Sequence, residues 1–98
     1  MKLIFEWDRR KAASNLRKHK VSFEESKSIF QDDLLVTFLD EFNFAGEDRF
    51  ISIGTSANSR ILLVVHTEVE AVGGIFVIRI ISGRKATAME RKIYEKEK

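Results

Sequence analysis

The fold is decided by the second half of the chain, which reads RILLVVHTEVEAVGGIFVIRIIS from Arg60 to Ser82. Two runs rich in branched apolar residues, 60–67 and 75–82, are typical of β-strands, and Gly73-Gly74 favours a turn between them. Strands joined by so short a connection pair antiparallel. The stretch therefore predicts a β-hairpin within an antiparallel meander.

The preceding segments add strands and two helices. Residues 2–7, 34–39 and 49–54 show strand patterns, and a polar loop is predicted around 40–48. Asp8 is a typical N-cap for a helix over 9–19. Ser22 and Glu25 form a capping box, the sequence pattern of a helix start, for a second helix.

The chain is predicted to close with a helix. After a turn through Ser82-Gly83, Thr87 and Glu90 form another capping box. The resulting order is β-α-α-β-β-β-β-α, which predicts an α+β fold with an antiparallel meander sheet and helices packed on one face. Ninety-eight residues are predicted to form one domain, 1–98, because cores of this size rarely split.

Composition excludes several classes of protein. The chain has no cysteine, which excludes disulfides, thiolate catalysis and cysteine-ligated zinc. Its longest apolar run, Ile61 to Val65, is too short to span a bilayer. We therefore expect a cytoplasmic protein without membrane contacts.

The net charge of +2 hides a segregation of charge along the sequence. Residues 1–30 hold eight Lys and Arg against four Asp and Glu, and residues 79–98 hold seven against three. Residues 31–50 hold one against six. The basic ends suit a polyanion and the acidic middle suits a cationic partner, although charged helix faces are also ordinary solvated surface.

Cations cluster where the last strand meets the closing helix. Arg79 interrupts the apolar strand, and Arg84 and Lys85 follow Ser82-Gly83. Guanidinium groups fit phosphate oxygens bidentately, so this cluster suits a phosphodiester. A structural ion pair of Arg79 with Glu68 or Asp48 is the competing interpretation.

The two histidines have structural interpretations as well. His19 ends the first helix, where a cation interacts favourably with the helix dipole. Period-two alternation places His66 and Glu68 together near a strand end. Neither histidine lies in a metal-binding pattern, and no phosphate-binding loop or zinc motif occurs. We therefore expect no metal and no cofactor.

Taken in order, the motifs resemble those of the BrnT family, ribonuclease toxins of bacterial type II toxin–antitoxin systems. The matching pieces run nearly end to end. They are Phe5-Glu6-Trp7-Asp8, Lys11, Asn15, Lys18-His19, Val21-Ser22-Phe23-Glu24-Glu25, Arg49 with Ile53-Gly54, Val64-Val65-His66-Thr67-Glu68, Arg79 to Thr87, Glu90-Arg91 and Tyr94.

The resemblance implies a fold similar to RelE-type toxins, RNA cleavage that arrests translation, and neutralisation by a BrnA-type antitoxin. The ribbon-helix-helix part of that antitoxin would bind operator DNA, so that the toxin acts as a corepressor. Two positions depart from the family pattern. Lys20 stands where glycine is usual, and Gly83 stands where alanine is usual and would loosen the turn that aims Arg84.

Metal-free cleavage in such toxins proceeds by attack of the 2′-hydroxyl on its own phosphate, which needs an acid or base and cations near the phosphate. The candidates for this chemistry are Arg79 and Arg84 as a phosphate clamp, His19 or His66 as acid or base, and Lys18, Arg49 and Lys85 for the RNA backbone.

The candidates for antitoxin binding are Asp40, Glu47, Asp48 and Tyr94. Met89 and Ile93 lie beside Tyr94 in the closing helix, and we expect those two to belong to the core. A non-catalytic adaptor that binds nucleic acid and a partner protein remains the alternative function, since the same basic ends would serve it.

Overall fold

The computed structural model describes residues 2–42 and 46–96. The strands are β1 (Lys2–Glu6), β2 (Val36–Leu39), β3 (Phe50–Thr55), β4 (Ile61–Glu70) and β5 (Ile75–Lys85), and the α-helices are α1 (Arg9–His19), α2 (Phe23–Ser28) and α3 (Ala88–Lys96). Short 3₁₀ helices occupy Ile29–Gln31 and Val72–Gly74. The predicted element order and the α+β class are confirmed.

The predicted helix caps form hydrogen bonds. The Asp8 carboxylate accepts from the backbone N–H groups of Arg10 and Lys11, at 2.8 and 3.1 Å. Ser22 Oγ accepts from the Glu25 N–H at 2.9 Å. At α3 the capping box is reciprocal, because Thr87 N–H donates to Glu90 Oε1 and Glu90 N–H donates to Thr87 Oγ1.

Lys20 ends α1 in the left-handed conformation, with φ 59° and ψ 32°, although it carries a side chain. Its N–H donates to Leu16 O at 2.9 Å and closes the last turn of the helix. Glycine adopts this conformation without steric cost, so lysine here is strained. The helix therefore ends where a glycine would have ended it.

The strand order across the sheet is β1-β5-β4-β3-β2. β2 to β5 form the predicted antiparallel meander. β1 corrects the prediction of a wholly antiparallel sheet, because it pairs parallel to β5 with Glu6 opposite Arg79. β1 and β2 are thus the two edges of the sheet.

Apolar residues pack on both faces of the sheet. The front face, which carries Leu62, Val64 and Ile80, is covered by α1 and α2. The back face carries Ile53 and Leu63, against which α3 packs. The prediction that the helices lie on one face is therefore wrong for α3. Successive side chains of a strand point to opposite faces, so Leu62 and Leu63 serve different cores.

β5 passes straight through Ser82-Gly83, where the sequence predicted a turn. Its register against β4 shifts between Val65 and His66, which leaves Ile81 as an extra residue. Gly83 is buried, and a Cβ there would overlap Ser26 Oγ. Its N–H donates to Asn15 Oδ1 of α1, and its C=O accepts from Asn15 Nδ2. Glycine at this position makes room for α2 and does not loosen a turn.

Candidate active site

Arg79 lies on the back face near the end of the sheet that is far from α3. Its register partner is Thr67, which follows Leu63 on the same face of β4 by period two. Arg79 Nη2 donates to Glu47 Oε1 at 2.7 Å, and the two side chains are 46% and 47% exposed. The expected ion pair is present, but its partner is Glu47 and not Glu68 or Asp48.

Arg49 stands immediately before β3. Because Phe50 pairs with His66, continuing the antiparallel register places Arg49 opposite Thr67. This extension puts Arg49 in line with Thr67 of β4 and Arg79 of β5, with about 10 Å between the outer Cα atoms at the usual strand spacing. Arg49 Nε is buried and has no hydrogen-bond partner among the described residues.

Arg84 does not join Arg79, so the predicted clamp of two arginines is not formed. Its register partner is Leu63, four residues along β4 from Thr67, which corresponds to about 13 Å. Both guanidinium Nη atoms donate to the Glu90 carboxylate, at 2.8 and 2.9 Å. This pairing lowers the pKa of Glu90 to about 2 and raises the pKa of Arg84.

Lys85 also lies apart from Arg79. It pairs with Leu62 and is therefore on the front face, whereas Arg79 is on the back face. It lines a shallow cavity of about 320 Å³ together with Arg60 and Arg91. The structure does not place this lysine beside the phosphate-binding candidates.

His66 is fully buried, which removes it from the candidates for acid or base. Burial lowers its pKa to about 4, and the ring lies between Phe30 and Phe50. Its Nδ1 lies 3.3 Å from Thr67 O, and its Nε2 lies 2.7 Å from Ser52 Oγ. The side chain is neutral at pH 7. The predicted proximity to Glu68 is confirmed, at 3.9 Å from Nδ1 to Oε1.

His19 lies in a shallow cavity of about 210 Å³ beside β5, with Lys18 and Ser82. Lys11 and Ser14 of α1 complete its polar lining. β1 ends opposite Arg79, so beyond that residue α1 runs along this edge of β5. Two lysines and a histidine thus flank the edge of the strand that carries Arg79.

In α3, the buried and exposed side chains are the opposite of those predicted from the sequence. Tyr94 is 2% exposed, and its hydroxyl donates to Asp32 Oδ2 at 2.6 Å and contacts Thr55 Oγ1 at 3.0 Å. It is a core residue, so its prediction as an antitoxin contact is wrong. Met89 and Ile93, expected in the core, are exposed.

The acidic candidates lie near the β2 edge of the sheet. Asp40 is half-buried and its N–H donates to Arg49 O, while Asp48 is exposed. Asp40 also lines a groove of about 390 Å³ with Phe38 and Phe42. Glu47 differs from these two carboxylates because it is turned towards Arg79.

Glu47, which the sequence interpretation assigned to antitoxin binding, is paired with Arg79. Alternation along β3 places residues 47 and 49 on the face of Ile51 and Ile53, which is the only sequence signal for the grouping. Within residues 2–42 and 46–96, no group of three or more His, Asp or Glu side chains is arranged to hold a metal ion. No helix in these ranges is long and apolar enough to cross a membrane.

The fold is that of a known class of small bacterial toxins. The structure is similar to the 1.1 Å crystal structure of the Brucella abortus ribonuclease toxin BrnT, with a TM-score of 0.55 and 22% sequence identity. The similarity covers 89% of this chain and 99% of that chain. No protein with a curated description matches the chain.

The sequence places the chain within a family. Residues 7–90 match the model of the ribonuclease toxin, BrnT, of type II toxin–antitoxin systems. The chain therefore belongs to the BrnT family of ribonuclease toxins. Membership of this family implies an RNA substrate and an antitoxin partner.

Proposed function

We propose that this toxin cleaves RNA without a metal ion, by attack of the 2′-hydroxyl on the adjacent phosphate. The observation that carries the proposal is the Arg79 guanidinium, which stands about half exposed on an open sheet face in a chain of a ribonuclease family. It is hydrogen-bonded to one carboxylate through Nη2. A guanidinium has five N–H donors, so further donors can bind phosphate oxygens.

Arg79 stabilises the charge that develops on the phosphorane. Arg49, across the row, binds a neighbouring phosphate, and Lys18 steers the backbone at the β5 edge. Arg84 takes a positioning role, because its two bonds to Glu90 fix the start of α3 beside β5. The toxin acts in the cytoplasm and arrests translation and growth.

The proposed partner is a BrnA-type antitoxin with a ribbon-helix-helix part, through which the complex binds operator DNA and represses its own operon. Its docking site is the β2 edge of the sheet. There Phe38, Leu39 and Phe42 are 39%, 46% and 85% exposed and line a groove together with Asp40. Exposed apolar and acidic side chains together suit a segment that is both apolar and cationic.

The test is cleavage of a single-stranded RNA by the purified protein in EDTA. We expect discrete fragments with 2′,3′-cyclic phosphate or 3′-phosphate ends, and loss of at least about 100-fold in rate for Arg79→Ala. Arg91→Ala, an exposed arginine of α3, is the matched control and keeps the wild-type rate. A mobility shift without fragments favours the adaptor, and full activity of Arg79→Ala refutes the assignment.

A further inference from the structure

Resting on the proposed function, we propose that Glu47 is the general base that takes the proton from the attacking 2′-hydroxyl. Its Oε1 accepts from Arg79 Nη2 at 2.7 Å, and both side chains are about half exposed. The carboxylate and the phosphate-binding guanidinium are therefore held together on the same open surface. Cleavage needs these two groups side by side, because the 2′-oxygen attacks the phosphorus that is bonded to the 3′-oxygen of the same ribose.

The row of arginines fixes where the RNA lies. Arg79 is the register partner of Thr67 on the back face, and extending the β3–β4 register by one residue puts Arg49 on the other side of Thr67. Thr67 is 7% exposed and forms the floor between them. Glu47 precedes Arg49 by two residues and reaches Arg79 on the other strand. A phosphate bound between the two guanidinium groups thus places its ribose within reach of Glu47.

The chemical step balances with Glu47, Arg79 and a solvent water. The Glu47 carboxylate removes the 2′-OH proton while O2′ forms a bond to phosphorus, and the negative charge on the phosphorane oxygens is bound by Arg79. The P–O5′ bond then breaks, and the 5′-oxygen takes up a proton from water. The products are a 2′,3′-cyclic phosphate and a 5′-hydroxyl. No oxidant, reductant or metal ion is consumed.

Other groups near Arg79 fit the role less well. Glu6 lies opposite Arg79 in the β1 register and is exposed, but the Arg79 side chain is hydrogen-bonded to Glu47. Glu68 pairs with Ile78 and therefore projects from the front face. His66 is buried below the sheet. Glu47 is the carboxylate that the geometry joins to the phosphate-binding arginine.

If the Glu47–Arg79 pair were purely structural, its loss would change binding and cleavage differently from the loss of a general base. An exposed pair of this kind contributes about 0–1 kcal/mol to stability. If it only held the segment before β3 in place, its loss would weaken RNA binding and cleavage together. A general base makes its main contribution in the transition state, so its loss lowers kcat and leaves binding intact.

The experiment compares Glu47→Gln with Glu70→Gln, the same substitution at an exposed carboxylate of β4 that pairs with Phe76. Cleavage is measured in EDTA, and binding is measured with a 2′-O-methyl RNA, which cannot react. For Glu47→Gln we expect kcat to fall by about 100-fold or more with nearly unchanged affinity for the 2′-O-methyl RNA. Glu70→Gln retains wild-type cleavage.

Chemical rescue provides the second readout. Glu47→Ala opens space for a small carboxylate, and added formate should restore part of the cleavage rate in a concentration-dependent way. Full activity of Glu47→Gln, or parallel loss of affinity and cleavage without rescue, overturns the role of Glu47. If Glu47→Gln is active while Arg79→Ala is inactive, only this inference fails. Absence of cleavage by the wild-type protein refutes the proposed function itself.

Discussion

His66 makes the stability of this toxin dependent on pH, and substituting it isolates the effect. The imidazole is fully buried, and burial lowers its pKa from 6.5 to about 4. In the unfolded chain the same group has its ordinary pKa. Between these two values the unfolded state binds a proton that the native state does not, so protonation favours unfolding.

The magnitude follows from the pKa difference. Above pH 6.5 the side chain is neutral in both states, and the native structure loses nothing. As the pH falls from 6.5 towards 4, the free energy of unfolding decreases by about 1.4 kcal/mol per pH unit. Between pH 7 and pH 5 this amounts to about 2 kcal/mol, a large part of the stability of a small domain.

The assay is urea unfolding of the wild-type protein and of His66→Gln at pH 7, 6 and 5. Trp7, the single tryptophan, packs edge-on against Phe23 at 6.0 Å between ring centroids and reports the transition by fluorescence. Glutamine keeps a hydrogen-bonding side chain that does not titrate. We expect the wild-type free energy of unfolding to fall by about 2 kcal/mol more than that of the variant. Parallel pH dependences would refute the reasoning.

Three further predictions concern stability. Lys20→Gly should raise the free energy of unfolding by about 1 kcal/mol, because glycine adopts positive φ without strain; an unchanged melting temperature would contradict this. Gly83→Ala should lower it by about 2 kcal/mol through overlap with Ser26, and adding Ser26→Ala should recover part of the loss in urea titrations. Arg84→Ala and Glu90→Ala should each cost about 1 kcal/mol, with a double variant no worse than either; additive losses would show that the pair does not couple.

Local signals in the sequence predicted the local structure. The caps at Asp8, Ser22 and Thr87 each act over three residues, and all three form as expected. The hydrophobic runs likewise predicted the strands and their order. These features depend on neighbouring residues alone, so no knowledge of the tertiary structure is required to place them.

Features that depend on distant residues were not predictable in the same way. β1 pairs with β5 across most of the chain, and its short pattern is the same for a parallel or an antiparallel partner. In α3, Met89 and Ile93 lie four residues apart and resemble a buried stripe. The sheet instead meets Tyr94, whose hydroxyl bonds Asp32 from a different part of the chain.

At the candidate site too, the sequence gives the residue types, whereas the contacts of each side chain depend on distant residues. Arg79 and Arg84 are both arginines of β5, and the alternation of side chains along the strand does not show which of them is the better candidate for phosphate binding. The structure separates them through their carboxylates. Glu90 binds Arg84 through both oxygens and also caps α3, so that pair has a structural role at the start of the helix. Glu47 binds Arg79 in an exposed position, where an ion pair contributes little to stability. The proposed assignment of Arg79 rather than Arg84 to phosphate binding rests on this difference, because the Arg79 pair is the more exposed of the two.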